Sequence, residues 1–151
     1  MAKSKKQRTP KARRKAPKTS AKRTQKVQTS IVPWLCVRRG TQAVDFYKAA
    51  FGAKELFRME DSNSVVARLS IDSAEFWLSD ESPEHFNFSP ESLGGITTRI
   101  ILTVTDPDAM FERAVKAGAK EVYPMTDEHE WRVGRVVDPF GHHWEIGRPL
   151  S

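Results

Sequence analysis

Two stretches of the chain repeat one alternation of apolar and polar positions, 66 residues apart. Residues 52–59 read GAKELFRM and residues 118–125 read GAKEVYPM, identical at five of eight positions. Ahead of each, apolar residues recur at spacings of three and four. They are Ala43, Val44, Phe46, Tyr47, Ala50 and Phe51, then Ala109, Met110, Phe111, Ala114 and Val115. That spacing predicts an amphipathic helix with one buried stripe in each copy. Gly52 and Gly118 follow the stripes, where a helix closes in the left-handed region. Asp106 and Pro107 suit the N-cap and first turn of the second helix.

Strand patterns surround both helices. Apolar runs at Ile31–Val37 and Arg99–Val104 precede them. Glu55–Met59, Val65–Ile71 and Glu75–Ser79 follow the first; Glu121–Pro124, Arg132–Val137 and His142–Ile146 follow the second. Asp72 and Asp138 fall in equivalent turns, and Trp77 aligns with Trp144 if one residue is inserted after Asp138. Each half therefore reads β-α-β-β-β. The predicted fold class is α+β, with two tandem βαβββ modules forming a curved mixed sheet around a cleft. Module one spans 31–80, a Pro- and Gly-rich linker 81–97, and module two 98–148. A single module cannot cover both faces of its own sheet, and a cleft between paired modules is a ligand site by default.

Charge divides the chain differently. Residues 1–30 hold twelve Lys or Arg and no acidic residue, whereas 31–151 hold thirteen basic and nineteen acidic residues, a balance of −6. The basic stretch has one branched aliphatic residue, Val27, and no aromatic. It cannot bury enough apolar area to offset chain entropy, so a disordered tail is expected. Lys5, Lys6, Arg13, Arg14, Lys15, Lys22 and Arg23 are its candidate contacts to nucleic acid or another polyanion through counterion release. A purely solubilising extension is the alternative.

The single cysteine, Cys36, excludes a disulfide framework and any multi-cysteine metal site. It reads as a small buried side chain. No apolar run reaches the ~18 residues of a membrane-spanning helix, and the first residues lack the apolar core of a secretory signal. A cytoplasmic protein is expected. No Gly-x-Ser-x-Gly nucleophile motif, phosphate loop or dinucleotide fingerprint occurs.

The segments AVDFYKAAFGAKELFRM (43–59), LSDESPE (78–84), SPESLGG (89–95) and GRVVDPFGHHWEI (134–146) resemble the vicinal oxygen chelate superfamily. That superfamily holds glyoxalase I, bleomycin-resistance proteins and extradiol dioxygenases, and the resemblance is nearest to its PhnB-like branch. It covers residues 31–148. The resemblance implies a homodimer and, in metal-dependent members, ligands on the first and last strands of each module. Glu145 matches the last-strand glutamate. The other positions fall at about Val32, at Arg99 and at Trp77 or Leu78, which do not ligate a divalent cation. One carboxylate is too few for a zinc, nickel or manganese site, so no cofactor is expected.

Three roles stay open for Glu145: an ion pair with Arg99 or another cation at the cleft, general acid/base work helped by His143, and metal ligation with His143. Strand alternation puts His143 and Glu145 on one face, and His142 and Trp144 on the other. Trp34, Trp77, Arg99, Trp131 and Glu145 are the candidate ligand-binding residues, an aromatic lining with two charges. Phe86 and Phe88 in the linker are exposed, or serve as a lid or dimer contact. The function these residues favour is metal-independent binding of a small aromatic or amphipathic molecule in the inter-module cleft. The alternatives are a metal-dependent lyase, isomerase or dioxygenase of the glyoxalase type using Glu145, and a scaffold docked on a polyanion by its tail.

Overall fold

The computed structural model describes residues 27–62 and 64–151. The seven basic residues expected to contact a polyanion, from Lys5 to Arg23, lie outside the described residues. Ile31–Ser151 forms one compact unit. Its order is β1 (Trp34–Val37), α1 (Gly40–Phe51), β2 (Lys54–Glu60), β3 (Val65–Ile71), β4 (Ala74–Asp80), α2 (Pro90–Leu93), β5 (Ile100–Thr103), α3 (Pro107–Ala117), β6 (Lys120–Glu128), β7 (Trp131–Val137) and β8 (His143–Pro149). The strands make two four-stranded mixed sheets, ordered β1-β4-β3-β2 and β5-β8-β7-β6. In each sheet the first strand runs parallel to the last. Among the described residues no helix is long and apolar enough to cross a membrane.

The helices begin and end where their sequence dictates. Asp106 accepts from the Ala109 amide at 3.1 Å, and Pro107 opens α3. Gly52 and Gly118 close α1 and α3 in the left-handed region. Two strand boundaries differ from the pattern. β1 starts at Trp34 rather than Ile31, because Pro33 has no N–H to enter the ladder, although its carbonyl accepts from Trp77 at 2.9 Å. β6 continues through Pro124 to Glu128, because the register slips on either side of Tyr123 and leaves the proline unpaired.

Alternation along the strands gives each sheet an inner and an outer face. Leu35, Val37, Ala67, Leu69, Phe76 and Leu78 are the buried inner face of the first sheet; Leu102, Val136, Trp144 and Ile146 are that of the second. Both inner faces and both long helices share one core. Tyr47 of α1 lies 5.3 Å from Phe76 and 5.5 Å from Trp144, ring centre to ring centre, and Phe76 and Trp144 are 5.7 Å apart. Truncating a buried aromatic of this kind costs about 3–5 kcal/mol.

The β7–β8 turn ties the modules together. Asp138 is buried, and its carboxylate accepts from Tyr47 Oη at 2.7 Å, Trp144 Nε1 at 2.9 Å and the Phe140 and His142 amides at 2.9 Å. Gly141 closes this turn at φ +91°, a conformation that suits glycine. His142 Nε2 lies 2.9 Å from the Cys36 carbonyl in module one.

Candidate functional site

The outer faces carry two equivalent rows of side chains. In the first sheet the cross-strand register aligns Phe57, Arg68, Trp77 and Trp34. In the second it aligns Tyr123, Arg135, Glu145 and Ile101. The inner-face pair Leu69–Phe76 corresponds in the same way to Val136–Trp144. Trp77 is therefore the counterpart of Glu145, and Phe76 that of Trp144. This corrects the alignment of Trp77 with Trp144, because the second copy gains one residue between β6 and β7 and another in the β7–β8 turn, two in all rather than one.

The first row is an aromatic platform. The indoles of Trp34 and Trp77 stack with centres 5.3 Å apart and planes 13° apart. Trp34 Nε1 donates to Ser79 Oγ at 3.0 Å, which fixes its ring, yet the residue remains 55 % exposed. Phe57 meets Trp77 at 5.7 Å, and the Arg68 guanidinium lies 5.8 Å from the Trp77 ring centre. An exposed, pre-stacked indole offers a flat ligand a surface at little conformational cost.

The second row is charged. Arg99 Nη1 and Glu145 Oε1 meet at 2.7 Å. Arg135 lies directly opposite Glu145 on the neighbouring strand, with its guanidinium 5.6 Å from the Tyr123 ring centre. A cavity of about 320 Å³ is lined by Arg99, Tyr123, Arg135 and Glu145 among others. Trp131 starts β7 on this same face and lines an adjoining cavity of about 310 Å³ with Ile101, His129 and Glu145.

The five expected ligand-binding residues thus fall into two sets. Trp34 and Trp77 share one outer face; Arg99, Glu145 and Trp131 share the other. Strand parity and the repeat alone predict all five in one inter-module cleft. Within one chain the two inner faces meet across the core, so the two outer faces point away from it and do not enclose a common cavity. The cavity beside Trp34, about 330 Å³, is lined instead by Cys36, Phe88, Leu93, Ile96 and His142 among others. Phe86 is 85 % exposed and lies outside that lining.

His143 lies on the outer face of β8, two residues before Glu145, whereas His142 turns to module one. Burial first, and then the Arg135 charge, hold the His143 imidazole below its ordinary value. Burial, helped by Glu81, pushes the Cys36 thiol up, away from nucleophilic thiolate. Among the described residues no three His, Cys, Asp or Glu side chains gather into a group that could hold a metal. The donor set at Glu145 does not fit one: a single carboxylate bound to a guanidinium, with a second guanidinium opposite.

Sequence reasoning missed Phe57, Arg68, Tyr123 and Arg135. The signal was present, since Phe57 and Tyr123 are matched in the repeat and Arg68 and Arg135 alternate with buried residues on β3 and β7. Arg132 by contrast has the inner parity and pairs with Asp108 of α3.

Residues 28–146 match the sequence profile of the Glyoxalase/Bleomycin resistance protein/Dioxygenase superfamily. The chain is 42 % identical over 131 residues to the protein Rv0887c of Mycobacterium tuberculosis, covering 82 % of this chain and 76 % of that one. The crystal structure of the At5g48480 gene product of Arabidopsis thaliana is 31 % identical, with a TM-score of 0.63 over 79 % of this chain and 98 % of that one. TioX from Micromonospora sp. ML1 is 29 % identical, with a TM-score of 0.64 over 81 % of this chain and all of TioX, 100 %.

Proposed function

The chain belongs to the glyoxalase/bleomycin resistance protein/dioxygenase superfamily, and we propose that its role there is metal-independent binding of a small, flat aromatic molecule. The observation that carries this reading is the stacked pair of exposed Trp34 and half-buried Trp77 on an outer sheet face. Metal chemistry lacks support from the site, because Glu145 is engaged by Arg99 at 2.7 Å. The segments 43–59, 78–84, 89–95 and 134–146 support placement nearest the PhnB-like branch. A cytoplasmic location accords with a single unpaired cysteine.

The ligand cleft is completed by a second copy of the chain. Each protomer exposes one aromatic row and one charged row, and of their apolar members Trp34, Phe57, Ile101 and Tyr123 are each at least 45 % exposed. A homodimer that sets the aromatic row of one protomer against the charged row of its partner covers both faces and brings all five candidate residues to one site. Apolar faces of this kind mark interfaces or ligand grooves.

The test is calorimetric titration of 2-naphthamide into the full chain and into Trp34→Ala, with sedimentation equilibrium on both. The reading expects a dimer, and at least tenfold weaker binding in the variant. Equal affinity in both proteins contradicts the platform, and a monomer at binding concentrations contradicts the shared cleft.

The basic residues 3–26 carry a separate reading. They dock the domain on a polyanion, and salt-sensitive retention on DNA that disappears when residues 1–30 are deleted is the expected result. Retention unchanged by the deletion overturns it.

A further inference from the structure

The two modules hold equivalent arginines, and only one of them has a carboxylate. Arg68 and Arg135 occupy the same place in the two cross-strand rows, opposite Trp77 and Glu145. Arg68 is gripped by Glu75, which accepts from its Nε at 2.8 Å and from its Nη2. Glu75 stands two residues before Trp77. Two residues before Glu145, the corresponding residue is His143. The repeat has put an imidazole where the first module keeps its acid.

Arg135 accordingly has no ion pair and no hydrogen bond among the described residues. Its Nε is buried without an acceptor, and so is His143 Nδ1. The neighbouring acids do not serve it. Glu145 is bound by Arg99 at 2.7 Å, and Glu128, at the rim of the same cavity, lies 3.2 Å from His129 Nε2. Buried polar groups in folded proteins nearly always have partners, and a charged donor without one marks a place where a partner is to be supplied. Tyr123 lies against the guanidinium and orients its plane.

We propose that Arg135, flanked by His143 and Arg99, receives a carboxylate of the bound molecule, so that the ligand is a flat aromatic acid. The planar guanidinium fork matches a carboxylate in two parallel hydrogen bonds, and at the equivalent position in the first module a carboxylate already sits on the fork, with Arg68 Nε and Nη2 both donating to Glu75 Oε2. Neutral imidazole adds a donor without repelling the arginines. This inference rests on the reading of the outer faces as the ligand cleft, and it adds the ligand's charge.

The test compares 2-naphthoate with 2-naphthamide on the full chain, by calorimetry and by ¹⁵N chemical shifts of the arginine Nε and histidine Nδ1 groups. The acid is expected to bind at least tenfold more tightly than the amide and to move the Arg135 Nε and His143 Nδ1 signals. In Arg135→Gln the preference should fall to about onefold, through a larger loss for the acid than for the amide; Arg135→Lys, which keeps the charge but loses the fork, should retain only part of the preference. Equal binding of acid and amide to the wild type overturns the carboxylate site and leaves the aromatic platform standing. A preference for the acid that persists in Arg135→Gln, or leaves the Arg135 signal unmoved, also overturns it. Binding of neither probe overturns the platform and the carboxylate site together.

Discussion

Tyr47 and Asp138 join the two modules by a 2.7 Å hydrogen bond inside the core. Tyr47 is fully buried, and Asp138 also receives Trp144 Nε1 and two backbone amides. Removing the hydroxyl in Tyr47→Phe leaves Asp138 one donor short but otherwise satisfied. The expected loss is about 1.5–3 kcal/mol in urea unfolding. Asp138→Ala removes the acceptor of all four donors and should cost more, about 3–5 kcal/mol. A smaller effect for the aspartate than for the tyrosine would contradict this hierarchy.

The same bond sets an alkaline limit. Burial, followed by the Asp138 charge, raises the Tyr47 hydroxyl well above its usual value of 10.0. The unfolded chain therefore releases this proton near pH 10, while the folded chain keeps it. Stability from this residue is present below pH 10 and declines as pH rises beyond it. Urea midpoints measured from pH 8 to 11 should fall more steeply for the wild type than for Tyr47→Phe. Parallel curves would place the alkaline titration elsewhere.

His143 acts in the opposite range. Its folded-state value lies below the ordinary 6.5, with burial as the main cause and Arg135 the next. On acidification the unfolded chain takes up this proton before the folded chain does, so stability falls as pH drops below about 6.5. The imidazole followed by NMR should titrate with a midpoint below 6.5, and His143→Gln should flatten the acid side of the stability profile. A midpoint above 6.5 would show a carboxylate partner that the structure does not contain.

Arg99 and Glu145 form an ion pair of 2.7 Å on the second outer face, yet their side chains are 52 % and 23 % exposed. Solvent screens such a pair, and its contribution to stability is at most about 1 kcal/mol. Glu145→Gln should therefore unfold within about 1 kcal/mol of the wild type. A double-mutant cycle with Arg99→Gln measures the coupling directly. These exposures are those of a single protomer, so a coupling near 3 kcal/mol at dilutions where the chain is monomeric would contradict the screening, whereas a rise in coupling only where the chain dimerises is what a partner covering the pair produces.

Much of this was legible in the sequence. The repeat at a spacing of 66, the two apolar stripes and the helix-closing glycines fixed both modules and both long helices. Strand alternation set Trp34 and Glu145 on outer faces and Trp144 in the core. What it did not give was the relation between the modules, since parity says which face a side chain takes but not what that face meets. The five candidate residues were thus placed in one cleft, whereas the Phe76–Trp144 contact turns the two outer faces apart. Arg135 escaped notice for a related reason: its importance lies in a missing carboxylate, visible only when Glu75 and His143 are seen at equivalent positions.

The aromatic cleft is expected to bind its ligand without a metal. The most direct measurement is the affinity of the full chain for 2-naphthamide before chelator treatment, after it, and after adding back Mn²⁺, with bound metal counted each time. One unchanged affinity throughout, with no stoichiometric metal, is the expected result. Binding that disappears with the chelator and returns with about one Mn²⁺ per chain would contradict it and make Glu145 a metal ligand.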